Sequence, residues 1–190
     1  MPRQTKFFYD TEFREDGKVI DLISIGIVNY DTGATFYAVS SEFDTCAVAT
    51  NPWLMKNVMS SINHELWLDA YPITGKPVPN FTVTDPAVMS RVEIRDGIMD
   101  FVKGTWPDFW AWYGSYDHVA LAQLFGRMID LPDRMPMFTS DIQQLRKQAG
   151  SPAMPKQPEG HHNALADAQF NVVRYDWLTA LIEQQRRESA

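Results

Sequence analysis

Apolar residues in the first forty positions come in short runs broken by turn residues, and the runs are rich in aromatic and β-branched side chains. "TKFFYDTEF" (5–13) ends at "REDGK", where Asp16-Gly17 is a hairpin signal. "VIDLISIGIVN" (19–29) is apolar on both parities, the pattern of a strand covered on two faces. "YDTG" then turns the chain into "ATFYAVS" (34–40). These runs predict an antiparallel meander.

Beyond residue 44 the period lengthens. "NPWLMKNVM" (51–59) predicts a short helix with Pro52 at its first position. "YPITGKPVPNFTVTDP" (71–86) holds four prolines and no sustained period, so it reads as a loop within an insertion around 60–85. "DPAVMSRVEIRDGIMDFVKG" (85–104) recovers a helical pattern, with Val88, Val92, Ile98, Phe101 and Val102 as a partial stripe and Gly104 as a stop. "PDFWAWYG" (107–114) predicts an aromatic strand. In "SYDHVALAQLFGRM" (115–128), Ser115 is a natural N-cap and Leu121, Leu124, Phe125 and Met128 fall at helical spacing. "SDIQQLRKQAG" (140–150) predicts a helix stopped at Gly150, and "SPAMPKQPEG" (151–160) a loop. From Asn163 a long helix follows, with Leu165, Ala168, Val172, Tyr175, Leu178 and Ile182 as its buried stripe. Trp106, Trp110, Trp112 and Trp177 are expected in the core. The sum is an α/β fold with a mixed five-stranded sheet and helices on both faces.

Composition narrows the function. The 190 residues suit one domain with an ordinary core, 45% of them hydrophobic and 22% charged. No apolar run approaches the roughly 18–20 residues that cross a bilayer, and "MPRQTKFFYD" lacks the pattern of a secretory signal. Cys46 is the single cysteine, which excludes an intrachain disulfide and a Cys-rich zinc site. A cytoplasmic location is expected. The net charge of −7 and pI of about 5.0 argue against a long nonspecific nucleic-acid groove. They remain compatible with a small footprint in which bound metal ions supply the positive charge.

Within this frame "FFYDTEF" (7–13) is anomalous, because Asp10 and Glu12 interrupt a run made for burial. Positions i and i+2 of a strand share a face, so the two carboxylates converge. Left unpaired there, each would cost several kcal/mol, on the order of a partial ion desolvation. Asp117 lies in the first turn of a predicted helix and Asp167 one turn into the last one. Taken singly, both are acids favoured by a helix dipole. In an α/β sheet, however, strand ends and helix starts gather around ligands. Four carboxylates meeting there require cations, and oxygen ligands in that number suit Mg²⁺ or Mn²⁺. Two such ions roughly 4 Å apart clamp an in-line displacement at phosphorus. His162 would sit about 140° from Asp167 on a helical wheel, so Asn163 is expected to cap the helix with His162 outside it. An imidazole with an ordinary pKa near 6.5 could take a proton from water there, although a pair such as His161–His162 is more often plain loop surface.

"YDTEF", "YGSYDHVAL" and "HNALADA" resemble the three motifs of the DEDD 3′–5′ exonucleases, in the subclass with a histidine in the third motif (DEDDh). "FFYDTEFREDGKVIDLISIGIV", "FYAVSSEFD" and "WAWYGSYDHVALAQLFG" are similar to the bacterial ribonuclease AS group. The resemblance covers nearly the whole chain except about 60–85. It implies a ribonuclease H-like fold and a homodimer that trims single-stranded RNA from the 3′ end with a preference for adenylate tails. By carry-over, Asp10, Glu12 and Asp167 hold one Mg²⁺ (or Mn²⁺), Asp10 and Asp117 hold the second, and His162 is the general base. Phe13, Thr11 and His118 are the candidates for substrate contact; the plain alternatives are core for Phe13 and solvent for His118. Gly114 stands where many DEDD members carry asparagine, a departure shared with the ribonuclease AS branch. Three readings compete with an exoribonuclease: the same chemistry on DNA, a non-catalytic nucleic-acid-binding module of the same fold, and a zinc hydrolase using "HH".

Overall fold

The structure is a computed structural model that describes residues 3–70, 77–84 and 86–189, with side chains for those outside 64–83. Among these residues, β1 (Arg3–Glu15), β2 (Ile20–Asn29) and β3 (Thr35–Ser40) form the expected meander. Helices α1 (Thr45–Ala49) and α2 (Pro52–Asn57) and a 3₁₀ turn follow, then β4 (His64–Ala70), β5 (Pro77–Val83) and β6 (Val88–Met89). The second half contains α3 (Arg91–Phe101), β7 (Thr105–Ala111), α4 (Ser115–Gln123), β8 (Ser140–Asp141), α5 (Ile142–Gln148) and α6 (Ala164–Glu188).

The main sheet has six strands, not five, in the order β6-β3-β2-β1-β7-β8, and β4 and β5 form a separate antiparallel pair. The sheet is mixed, with β1–β7, β3–β6 and β7–β8 parallel. Strands β6 and β8 each add only two residues at an edge, too few for any sequence period to register. The stretch read as a loop over 71–86 contains β5, whose prolines 77 and 79 sit in a two-stranded ladder, where an edge donor can be spared. Residues 71–76 and Asp85 lie outside the described residues.

Alternation along β1 divides the core. Phe7 and Tyr9 face Ile94 and Ile98 of α3 and Ala120 and Leu121 of α4, whereas Phe8 faces Ile142 of α5 and Leu178 of α6. A third cluster packs Ile23 and Val39 against Val48, Leu54 and Val58. Several predicted core positions are corrected. Helix α3 starts only at Arg91, capped by a Ser90–Glu93 capping box, so Val88 lies in β6 and Val92 faces solvent; Ile94 and Ile98 form the buried face instead. Helix α4 ends at Gln123, and Gly126 turns the chain with φ of 95°, which leaves Met128 exposed. The α4 N-cap is Gly114 rather than Ser115. Trp106 and Trp177 are exposed, on the outer sides of β7 and α6.

Gly26 brings α6 onto the sheet. It pairs with Asp10 across the β1–β2 ladder, and a Cβ there would lie 2.4 Å from both N and Cα of Leu165. The absent side chain lets the α6 backbone touch β2 beside the first acid.

Candidate active site

The β1–β7 ladder ends at Phe8↔Trp110, while β1 continues to Glu15. Beyond that point β1 keeps β2 on one side and leaves its other edge free, and the freed stretch is Asp10-Thr11-Glu12-Phe13. A cleft of about 570 Å³ opens there, lined by these residues, Trp53, Tyr116, Asp117, His161, His162, Asp167 and Arg174 among others.

Asp10 and Glu12 point to the face covered by α6, as strand alternation requires. Asn163 caps α6 by accepting from the Ala166 N–H, which sets Asp167 in the first turn. Asp10, Glu12 and Asp167 each offer a carboxylate oxygen, and these atoms lie within 4.8 Å of one another. Asp117 approaches from α4 at the vacated edge. Its Oδ1 accepts from the Thr11 backbone N–H (2.8 Å) and from the Thr11 hydroxyl (2.6 Å). It thus satisfies a strand donor that β7 has left unpaired.

Burial raises the Asp10 carboxyl well above the usual range, and Asp117, Glu12 and Asp167 push it further, with Arg174 opposing. Burial first, then Asp167 and Asp117, moves Glu12 up to about 8. Burial raises Asp117 to about 6, with its two Thr11 hydrogen bonds opposing. These acids resist ionisation together, which is the state a bound cation reverses. Oxygens around an octahedral Mg²⁺ at about 2.1 Å lie up to about 4.2 Å apart. The three carboxylate oxygens, within 4.8 Å of one another, are spaced close to that limit.

His162 stands outside α6, as expected, with φ of 61°. Its carbonyl accepts from Ser61 Oγ (2.9 Å), and its ring meets Trp53 edge-on at 4.8 Å. Phe13 lines the cleft and stacks on Tyr116, with ring planes 10° apart and centroids 5.9 Å apart. Thr11 is also in the cleft, but its hydroxyl is committed to Asp117. His118 is not brought to it: the half-buried ring turns to Thr139, whose Oγ1 lies 3.1 Å from Nδ1 and 2.6 Å from the Tyr9 hydroxyl. Gly114 has a packing reason, since a Cβ would lie 2.9 Å from both Ala111 Cβ and Thr139 Cγ2. An asparagine at this position would collide with both.

A family model for the 3′-5′ exoribonuclease Rv2179c-like domain matches residues 5–177. The chain belongs to this family. The Rv2179c-like match includes all four acids and His162. Among curated proteins, the "3′-5′ exoribonuclease Rv2179c" of Mycobacterium tuberculosis strain H37Rv is 38% identical over 181 residues, covering 92% of this chain and 94% of that one. The "3′-5′ exoribonuclease MT2234.1" of strain CDC 1551 gives the same figures.

Sequence reasoning missed Trp53, Tyr116 and Arg174 in the lining of this Rv2179c-like cleft, and weighed His161 only as loop surface or as part of a zinc site. Arg174 had a signal, because it follows Asp167 by seven residues and so shares its helix face. Trp53 had none, since α2 is carried to the cleft by tertiary packing.

Proposed function

We propose that this protein is a metal-dependent 3′–5′ exoribonuclease of the DEDDh type. It removes nucleoside monophosphates from the 3′ end of single-stranded RNA, with a preference for adenylate tails like that of the ribonuclease AS group. The observation that carries the reading is the convergence of Asp10, Glu12 and Asp167 within 4.8 Å, in a cleft that also holds Asp117 and His162. Membership of the Rv2179c-like family, with relatives named as 3′-5′ exoribonucleases, supports the substrate and the polarity. The fuller picture is one exonuclease domain over 1–190 with a ribonuclease H-like fold and an insertion near 60–85, acting as a cytoplasmic homodimer. Among the described residues, no helix is long and apolar enough to cross a membrane.

Asp10, Glu12 and Asp167 would hold one Mg²⁺ or Mn²⁺, and Asp10 with Asp117 a second. When bound, such ions supply charge neutralisation at the phosphate and a more acidic attacking water. Thr11 fixes one oxygen of Asp117 and so determines which lone pairs remain for a ligand. His162, at the mouth of the same cleft, accepts the proton of the attacking water as the bond from phosphorus to the 3′ oxygen of the penultimate nucleotide breaks. Phe13, in the lining beside Tyr116, offers a flat face to the terminal base, a contact worth roughly 1–3 kcal/mol.

The test is a degradation ladder on 5′-labelled single-stranded RNAs ending in A, U, C or G runs, with a matched DNA, in Mg²⁺ or EDTA. The expected result is a Mg²⁺-dependent ladder shrinking from the 3′ end, fastest on the A run and absent in Asp10→Ala. Equal rates on every end would remove the adenylate preference. A faster ladder on DNA would move the substrate. No ladder in Mg²⁺, nor in Mn²⁺ put in its place, would leave a binding module.

A further inference from the structure

Among the described residues, Arg174 is the one arginine in the lining of a cleft whose other ionisable side chains include Asp10, Glu12, Asp117 and Asp167. Its surroundings immobilise it. The guanidinium lies 4.7 Å from the ring centroids of both Trp112 and Phe170, a cation–π contact with each. Nη1 donates to Asn171 Oδ1 at 2.7 Å. Asn171 is itself fully buried, and its Nδ2 donates to the carbonyl of Tyr9, the residue before the first acid. A continuous chain of hydrogen bonds therefore runs from β1 through α6 to the guanidinium. Helical side chains lean toward the N-terminus, and Arg174, two turns beyond Asp167 on the same face, reaches back toward the acids. It feels Asp167 and Asp10 electrostatically, but its hydrogen bond goes to the neutral Asn171 amide. A guanidinium carries five N–H donors, so a planar fork held by rings and one amide keeps donors for a ligand.

Building on the exonuclease reading, we propose that Arg174 binds a non-bridging oxygen of the terminal phosphodiester of the RNA, as a substrate-binding residue separate from the metal-ligating carboxylates. The anion fits the chemistry: a rigid fork suits phosphate better than a flexible ammonium does. The location fits as well, because the reacting phosphate must lie against the acids that Arg174 neighbours. In a protein of net charge −7 this side chain gives the strand a fixed positive contact where it is cut.

The experiment compares wild type, Arg174→Gln and Arg174→Lys in three measurements: equilibrium binding of a fluorescent single-stranded RNA in Ca²⁺ by anisotropy at several salt concentrations, Mn²⁺ binding by calorimetry without RNA, and degradation in Mg²⁺. Arg174→Gln should weaken RNA binding about 10- to 100-fold, as loss of a charged hydrogen bond does. It should also lower the slope of log affinity against log salt by about 0.7, one single-strand phosphate contact. Mn²⁺ affinity should stay at the wild-type value or rise, since a cation near the carboxylates is gone. Arg174→Lys should restore the salt slope but only part of the affinity. Loss of Mn²⁺ binding in Arg174→Gln, or an unchanged salt slope, would overturn the proposal and make Arg174 a structural prop for the acids. Wild-type protein that binds RNA but never cleaves it would sink the exonuclease reading, while the variants' binding curves would still decide the role of Arg174.

Discussion

Replacing Gly26 by alanine should disable the site while leaving every charged residue in place. The new Cβ would sit 2.4 Å from N and Cα of Leu165 and 2.5 Å from the carbonyl carbon of Ala164, all backbone atoms. Ordinary carbon contacts begin at about 3.5 Å, so the start of α6 must retreat by about 1 Å. Asp167 lies two residues further along that helix and moves with it, away from Asp10 and Glu12. A misplacement of about 1 Å can cost roughly 100-fold in rate, or about 2.7 kcal/mol in the barrier. The same overpacking costs about 1–3 kcal/mol of stability, about 2–4 °C in melting temperature per kcal/mol for a chain of this size. The assay pairs RNA degradation with Mn²⁺ calorimetry and a thermal melt. Gly97→Ala is the control, because its Cβ would crowd the Phe36 ring at 2.7 Å, far from the cleft. Both variants should melt lower, and only Gly26→Ala should lose Mn²⁺ affinity and turnover. Wild-type affinity and rate in Gly26→Ala would refute the claim that this helix contact sets the carboxylate cluster.

The carboxyls make the metal-free protein sensitive to alkali. Glu12 is raised from about 4.5 to about 8 and Asp117 to about 6, so between those values the folded chain holds protons that the unfolded chain releases. The associated stability is complete below about pH 4 and lost as pH rises through 8. The melting temperature in EDTA should therefore fall across this window, and Mn²⁺ should raise it more at pH 8 than at pH 5; a flat or rising EDTA profile would contradict the raised carboxyls. Thr11→Val removes a buried charged hydrogen bond worth about 1.5–3 kcal/mol and frees Asp117 to shift further upward. Calorimetry should find Mn²⁺ binding weakened at pH 6 to 7, partly recovered at pH 9 and restored by Thr11→Ser. Unchanged affinity in Thr11→Val would leave the Thr11–Asp117 contact without a role.

What was legible in the sequence is what depends on near neighbours. Strand period alone aligned Asp10 with Glu12, and the Asn163 cap alone put His162 outside α6. The missed features are those decided by partners distant in sequence. Met128 continues the stripe of α4 on paper, but Gly126 ends the helical continuation before it. The prolines of β5 read as a loop because their tolerance in a strand depends on which edge lies unpaired, a property of the partner β4. His118 looked available beside Asp117, yet its orientation is set by Thr139, brought alongside by the segment before β8. Gly26 passed unremarked in an apolar strand, although an isolated strand glycine is a known mark of close backbone approach.

The two halves of the cleft rest on supports of unequal stiffness. Asp10 and Glu12 belong to a central strand paired with β2 from Phe7 to Glu15, and Asp167 lies in the first turn of a 25-residue helix anchored by Ala168, Asn171 and Leu178. His162 hangs from a non-helical, non-strand segment, tied to Ser61 by its carbonyl. Amide hydrogens around the carboxylates should exchange through openings near the global unfolding free energy, while those of 151–162 exchange through cheaper local openings. Under gentle denaturation His162 would drift out of register before the three-carboxylate cluster comes apart. On the proposed metal-dependent reading, divalent ions would then still bind after turnover had ceased, a separation of binding from catalysis inherited from the sheet.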